Sequence, residues 1–133
     1  MMNLDVTKTL EELDGEVWED PGETTKLIRT CHELRKVPLK DITADQLRLM
    51  IGQRISLEHL IPIALKILAK DPFIQATFYR GDLLVYVLNN TNEEFWNKHD
   101  ALYFDIDDIV REVKQTLEEL APLVSAIKPC LTE

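Results

Sequence analysis

Residues 51–68, IGQRISLEHLIPIALKIL, form the most apolar stretch of the chain and constrain its fold most strongly. Between Leu57 and Lys70 only four side chains are clearly polar. A helix that is apolar over most of its circumference is usually surrounded by other helices in a bundle. The stretch is too short to span a bilayer, which needs about 20 apolar residues. We therefore expect residues 57–70 to form a buried central helix.

Helix signals also dominate the rest of the chain. A hydroxyl or carboxylate at a capping position precedes apolar residues at helical spacing in several places. The helix starts predicted in this way are Thr9, Thr24 or Thr25, Thr43, Ser56, Asp82, Thr91 and Asp105. The run LLVYVL at 83–88 has a strand-like composition, but the preceding Asp82 offers a helix cap, so we favour helix there.

The predicted helix ends rest on glycine and proline. Gly52 is expected to stop its helix in the left-handed conformation, and Asp71-Pro72 to close the central helix. Pro122 is expected to end or kink the last helix, whose apolar face includes Leu117 and Leu120. A chain of 133 residues favours one core. The prediction is an all-α fold, with residues 1–133 forming a single-domain bundle of about six helices.

The charge balance narrows the classes of partner. The chain has 24 acidic against 15 basic residues, a net charge of −9 and a pI near 4.8. Phosphate binding needs clustered Lys and Arg, so we expect no direct nucleic-acid partner. The balance suits a basic protein partner. With no signal peptide, no membrane segment and only two cysteines, Cys31 and Cys130, we expect a cytoplasmic protein, monomeric by preference.

No motif for catalysis, cofactor binding or structural metal binding is present in the sequence. Cys31-His32-Glu33 are consecutive on a predicted helix, so their side chains point about 100° apart and cannot close on one ion. Four glycines leave no phosphate-binding loop. We therefore predict no catalytic, cofactor or metal residues, and no enzymatic activity.

Two acidic clusters are the best candidates for a partner surface. Residues 11–23 contain seven acidic residues and no Lys or Arg, and residues 100–112 contain five acidic residues against Arg111. Aromatic side chains among acidic ones are typical of protein-binding hot spots. A solvated helix face near an N-terminus is the simpler explanation of the second cluster. The candidate partner-binding residues are Glu16, Trp18, Glu19, Asp20, Asp100, Tyr103, Asp105, Asp107, Asp108 and Glu112.

The second cluster has an internal order. On a helix, Asp105, Asp108 and Glu112 share one face at spacing i, i+3, i+7, whereas Asp107 is placed to pair with Arg111.

An ordered series of short motifs resembles a known family. The motifs are TLEEL (9–13) with Trp18, CHELR (31–35), PLKD (38–41), DQLR (45–48), IGQ (51–53), LIP (60–62), AL (64–65), IL (67–68), DP (71–72), FY (78–79) and GDLL (81–84). Over about residues 9–96 the chain resembles the immunity proteins of bacterial contact-dependent growth inhibition systems. The resemblance implies a protein that binds a cognate toxin, often a nuclease, and neutralises it by occluding its active site. It implies no particular toxin contact.

Two other functions stay open from the sequence. One is a small metal-dependent enzyme that uses Asp105, Asp108 and Glu112 with a histidine. The other is a general acidic interaction module with its own partner or dimer interface.

Overall fold

The computed structural model describes residues 4–126 and contains only helices and loops in that range. The all-α prediction is confirmed, and residues 83–88 are helical. Cys130 lies outside the described residues. The α-helices in residues 4–126 are α1 (Leu10–Asp14), α2 (Lys26–Leu34), α3 (Ala44–Gly52), α4 (Leu57–Lys70), α5 (Asp82–Asn89), α6 (Glu93–Asn97) and α7 (Asp100–Ala126), with a 3₁₀ turn at Leu39–Asp41. None of these helices is long and apolar enough to cross a membrane.

Helix α4 lies at the centre of the core, as its sequence predicts. It packs against α3, α5 and α7. Leu60, Ile61, Ala64 and Leu68 are fully buried in one cluster with residues of those helices. Burying each Leu or Ile contributes on the order of 1.5–3 kcal/mol, so this helix is committed to stability rather than to a partner.

Several helix starts agree with the predicted caps. Thr43 and Gln46 form the expected capping box, and Thr25 caps α2 through the backbone N–H of Ile28. The capping box predicted at Thr91 is wrong. Asn92 caps α6 instead, because its amide oxygen accepts from the N–H of Phe95, while the Thr91 hydroxyl donates to the carbonyl of Val87.

The turn between α3 and α4 also differs from the prediction. Gly52 belongs to α3, and the left-handed residues are Arg54 (φ 56°) and Ser56 (φ 46°). Gly52 matters for packing, because a Cβ there would lie 3.1 Å from Cε2 of Tyr86. Ser56 precedes α4 but makes no side-chain capping bond.

Asp82 does not cap its own helix as predicted but binds backbone N–H groups of the preceding loop. The Asp82 carboxylate is fully buried and accepts the backbone N–H groups of Ala76, Thr77 and Phe78 at 2.7, 2.9 and 2.8 Å. Burial acts to raise the pKa of Asp82, but these N–H groups outweigh it and lower the pKa. Asp82 therefore fastens the loop before α5 to that helix.

Helix α7 departs most from the predicted core. It begins at Asp100, five residues before the predicted start at Asp105, and continues through Pro122 to Ala126. Ile106 and Ile109 are buried, as expected. Leu117 and Leu120, on the same predicted apolar face, are about half exposed. The first half of α7 packs on the bundle, and the second half extends beyond it.

The apolar residues of α2 are also only partly buried. Cys31, Leu34 and Arg35 face the interior, whereas Leu27 and Ile28 are exposed. Burial raises the pKa of the Cys31 thiol. This thiol is therefore a small buried apolar group rather than a nucleophile.

Candidate partner-binding site

The first acidic cluster is anchored by a buried arginine at its start. Arg35 is 1% exposed, and its guanidinium donates to Oδ2 of Asp14 at 2.8 Å and to the carbonyl of Glu16 at 2.8 Å. It also contacts the Ser56 hydroxyl, which donates to the same Asp14 oxygen at 2.7 Å. We call these residues the Arg35 network. It ties the end of α1 to α2 and to the start of α4.

The electrostatics of the network depend on Asp14. Burial acts to raise the pKa of this carboxyl, but the hydrogen bonds from Ser56 and Arg35, with the Arg35 charge, outweigh burial and lower the pKa. Asp14 is thus held as a carboxylate, and its charge is balanced inside the protein.

Trp18 is held by the same network. The guanidinium carbon of Arg35 lies 4.4 Å from the centroid of the Trp18 ring, and the His32 ring meets it edge-on at 4.9 Å. Trp18 is half-buried between them, whereas Glu16, Glu19 and Asp20 are exposed. We call residues 16–23, between α1 and α2, the acidic connector. The Trp18 ring packs this connector against the protein, whereas its three carboxylates at Glu16, Glu19 and Asp20 are exposed.

A cluster of possible metal ligands lies beside the network. Asp14, Glu58 and His59 each place one ligand atom within 4.8 Å of the others. Nε2 of His59 is 3.1 Å from Oδ1 of Asp14 and 3.6 Å from Oε1 of Glu58. Both Asp14 oxygens are thus already engaged, and the Arg35 cation sits next to one of them. This cluster fits a polar network better than a cation site.

The second acidic cluster borders a groove between α4 and α7. Two cavities lie on this side of the protein: a smaller one near Arg54, with a volume of about 390 Å³, and a larger one between α4 and α7, with a volume of about 650 Å³. We call the larger one the α4–α7 groove. Pro62, Leu65 and Ala69 line it from α4, at spacing i, i+3, i+7. Leu102 is among the residues that line it from α7, so its floor is largely apolar.

Acidic side chains form the α7 side of this groove. Asp105, Asp108 and Glu112 all line it and are all exposed, in agreement with their predicted helical spacing. None of the three makes an ion pair with another residue in the range 4–126. We call them the acidic rim. Asp100 lies at the end of the same groove.

The remaining candidates of the second cluster lie on another side of α7. At 100° per residue, Tyr103 and Asp107 point away from the face that carries the acidic rim. Asp107 forms the predicted pair with Arg111, with its Oδ2 2.8 Å from Nε. Tyr103 is 47% exposed and packs edge-on against Phe104. The structure therefore divides the second cluster between two faces.

The alternative metal site predicted at the acidic rim is not assembled in this geometry. Across residues 4–126, the group of Asp14, Glu58 and His59 is the only one that brings three ligand atoms together. His99 lines the α4–α7 groove, but its ring stacks on Phe95 at 4.3 Å and its Nδ1 lies 2.7 Å from the Phe95 carbonyl. The His99 ring therefore contacts Phe95, four residues earlier in the chain, rather than the carboxylates of the acidic rim.

Comparison with protein families identifies the chain. The model of the CDI (contact-dependent growth inhibition) immunity proteins matches residues 12–106, well over half of its length. The chain belongs to this family. The resemblance noted in the sequence is thereby confirmed, and the immunity function is the neutralisation of a CDI toxin. Searches of curated proteins and of solved structures give no match.

The family match divides the surfaces of this immunity protein. It includes the Arg35 network, the acidic connector, α4 and the first turns of α7. It ends at residue 106, so Asp108 and Glu112 of the acidic rim lie beyond it. The exposed second half of α7 lies beyond it as well.

Sequence reasoning missed the Arg35 network. Asp14 and Arg35 are 21 residues apart, as are Arg35 and Ser56, so no local spacing connects the members of the network. The only available signal was Arg35 itself, a charged residue on the apolar face of α2 that requires a buried partner.

Proposed function

We propose that this immunity protein binds a basic nuclease toxin through its acidic surfaces and blocks the toxin's active site. The observation that carries the proposal is the acidic rim, whose three exposed carboxylates make no ion pair within the described part of the chain. Like charges on one helix face repel each other and lower the stability of the folded protein. A cation supplied by a partner would reduce this repulsion. Membership of the CDI immunity family indicates that the partner is a CDI toxin.

A nuclease is the toxin class that fits an acidic inhibitor. A nuclease binds phosphates with clustered Lys and Arg, and the same cations attract carboxylates. An inhibitor that lies on them occupies the path of the nucleic acid and needs no chemistry of its own. The proposed role is therefore non-enzymatic, and its proposed place is the cytoplasm, where a nuclease would meet its substrate.

The net charge of −9 supports fast capture. Oppositely charged surfaces steer association and raise its rate well above the value for neutral proteins, in a way that salt suppresses. Glu16, Glu19 and Asp20 on the connector would add to this field, since they are exposed. Asp100, Tyr103 and Asp107 complete the proposed contact surface around the first half of α7.

The test is binding to the toxin domain encoded next to this chain. The two proteins should co-purify, and co-expression should restore the growth that the toxin stops. Reversing charge in Asp105→Lys with Asp108→Lys should weaken binding and flatten its salt dependence. A matched control reverses Glu118 and Glu119, which are exposed on the same helix but lie away from the groove.

Two results would contradict the proposal. No complex with the adjacent toxin domain would remove the toxin as partner. Equal losses from the two charge reversals would show that overall charge, rather than the acidic rim, drives association.

A further inference from the structure

The α4–α7 groove combines an apolar floor with charged walls. Its floor is apolar, with Pro62 and Leu65 from α4 and Ile109 from α7. These three side chains are largely buried in the bundle and present only part of their surface to the cavity. The volume of about 650 Å³ lies within the range of ligand pockets, roughly 300–1,000 Å³. The groove has room for more than one side chain.

The two walls above this floor carry opposite charges. The α7 wall carries the acidic rim, and Lys66 of α4 lines the other wall. Lys98 also lines the groove, but its ammonium is paired with Glu94 at 3.0 Å. A bound cation would therefore lie toward α7, and a carbonyl or carboxylate beside it would face Lys66.

We propose that the groove binds a long basic side chain of the toxin, with its methylene stem on the apolar floor and its cationic head at the acidic rim. Arginine and lysine have this divided character, because their stems are apolar and their heads are charged. Arginine fits best, since its planar guanidinium can donate to two carboxylates at once. The inference rests on the proposed toxin-binding function and names the contact that anchors it.

Other occupants satisfy only half of the groove. A purely apolar side chain would cover the floor but would take water away from the rim carboxylates without replacing it, which is unfavourable. A small cation would neutralise the rim but leave the floor uncovered. The combination of floor and rim therefore selects an amphipathic basic side chain.

The experiment changes the floor and the rim separately. Ala69→Phe fills the groove without a change of charge, at a position already exposed to solvent. The triple variant D105N/D108N/E112Q removes the rim charge without a change of shape. The matched control is E118Q/E119Q, further along the same helix. Affinity for the toxin domain is measured by calorimetry at two salt concentrations.

The floor and rim variants should both weaken binding. Ala69→Phe should weaken binding at least tenfold and should reduce the salt dependence, because the displaced basic side chain no longer reaches the acidic rim. The rim variant should also weaken binding at least tenfold and should reduce the salt dependence. The control should stay within about twofold of wild type.

A scan on the toxin side identifies the anchoring residue, once circular dichroism has shown that Ala69→Phe is folded. Each Arg and Lys of the toxin domain is replaced by Ala, and each loss of affinity is measured against wild type and Ala69→Phe. One basic residue should lose most of its effect when the groove is filled. If none does, the groove inference is overturned while the complex still forms. If wild type does not bind the toxin domain, the proposed function falls and the inference falls with it.

Discussion

The acidic connector and the α4–α7 groove both place carboxylates beside apolar surface, yet their charges are satisfied in different ways. Near the connector, Asp14 is bound by Arg35 and Ser56, and Trp18 stacks on Arg35. At the groove, the acidic rim makes no ion pair within residues 4–126. The first arrangement holds the protein together. The second leaves charge available to another molecule.

The role of an acidic cluster depends on its contacts in the folded protein. The local sequence of the two clusters is similar, so composition does not distinguish a structural carboxylate from an exposed one. The distinction depends on whether a cation from a distant part of the chain reaches the carboxylate. Four predictions test this comparison, beginning with the largest expected effect.

Removing the buried arginine should destabilise the protein most. Arg35→Met leaves Asp14 partly buried without its cation, and breaking such a pair costs about 3–5 kcal/mol. We expect about 3 kcal/mol, because the Asp14 side chain is still 16% exposed. Denaturant unfolding measures the change. The matched variant Asp108→Asn at the rim should stay within about 0.5 kcal/mol of wild type. A loss below about 1 kcal/mol for Arg35→Met would show that the Arg35 network contributes little more to stability than the acidic rim does.

The aromatic residues should show the same contrast on a smaller scale. Trp18→Ala removes half-buried ring surface and a cation–π contact, and we expect a loss of about 2 kcal/mol in unfolding free energy. Phe104→Ala should change it by less than about 0.5 kcal/mol, because this ring is 65% exposed. Thermal and denaturant unfolding of both variants gives the comparison. Equal losses would show that exposure does not separate the two aromatics.

Toxin affinity should respond in the opposite order. Asp105→Asn alone should weaken toxin binding several-fold, or about 1 kcal/mol, because one rim carboxylate is lost from the proposed contact. Glu12→Gln, on α1 beside the connector, should leave the affinity nearly unchanged. Calorimetry or surface-based kinetics measures both. A larger loss for Glu12→Gln would move the toxin contact to α1.

Acidification should reveal how much Asp14, at the end of α1, contributes to stability. The pKa of Asp14 is lower in the folded protein than its ordinary value of 3.8, so the unfolded chain binds the proton more readily. The stability that Asp14 contributes is therefore full above that value and is lost as pH falls through the lowered pKa. Asp14→Asn should be less stable than wild type at neutral pH and should lose less on acidification, so that the two curves converge.

Denaturant unfolding from about pH 6 to about pH 2.5 measures this convergence. Asp82 provides a second case, because its pKa is lowered as well, and Asp82→Asn should show the same pattern. Parallel curves for wild type and Asp14→Asn would show that Asp14 carries no net coupling to pH.

Local rules predict a large part of the fold. The central helix follows from apolar residues over most of its circumference, and the Thr43 cap and the Asp71-Pro72 stop follow from backbone chemistry. The common face of the acidic rim and the pair of Asp107 with Arg111 follow from helical spacing. Each of these features involves residues that are close in the chain.

Features that depend on loop conformation or on distant residues do not follow from local sequence patterns. Asp82 resembles a helix cap in sequence, but three N–H groups of the preceding loop turn toward it. Periodicity gives α7 an apolar face without showing where the bundle ends, so it does not distinguish the buried Ile106 and Ile109 from the half-exposed Leu117 and Leu120. The Arg35 network joins three segments that no sequence motif connects.

The extension of α7 beyond the bundle has a practical consequence for measuring the complex. From residue 112 to residue 126 the helix rises by about 21 Å. A fluorophore carried at Ser125 would therefore stand about that far from the end of the acidic rim along a single helix. The second half of α7 thus places a label at a known distance from the acidic rim. Energy transfer from that label to a labelled toxin would locate the bound toxin, and the label would lie outside the proposed contact surface.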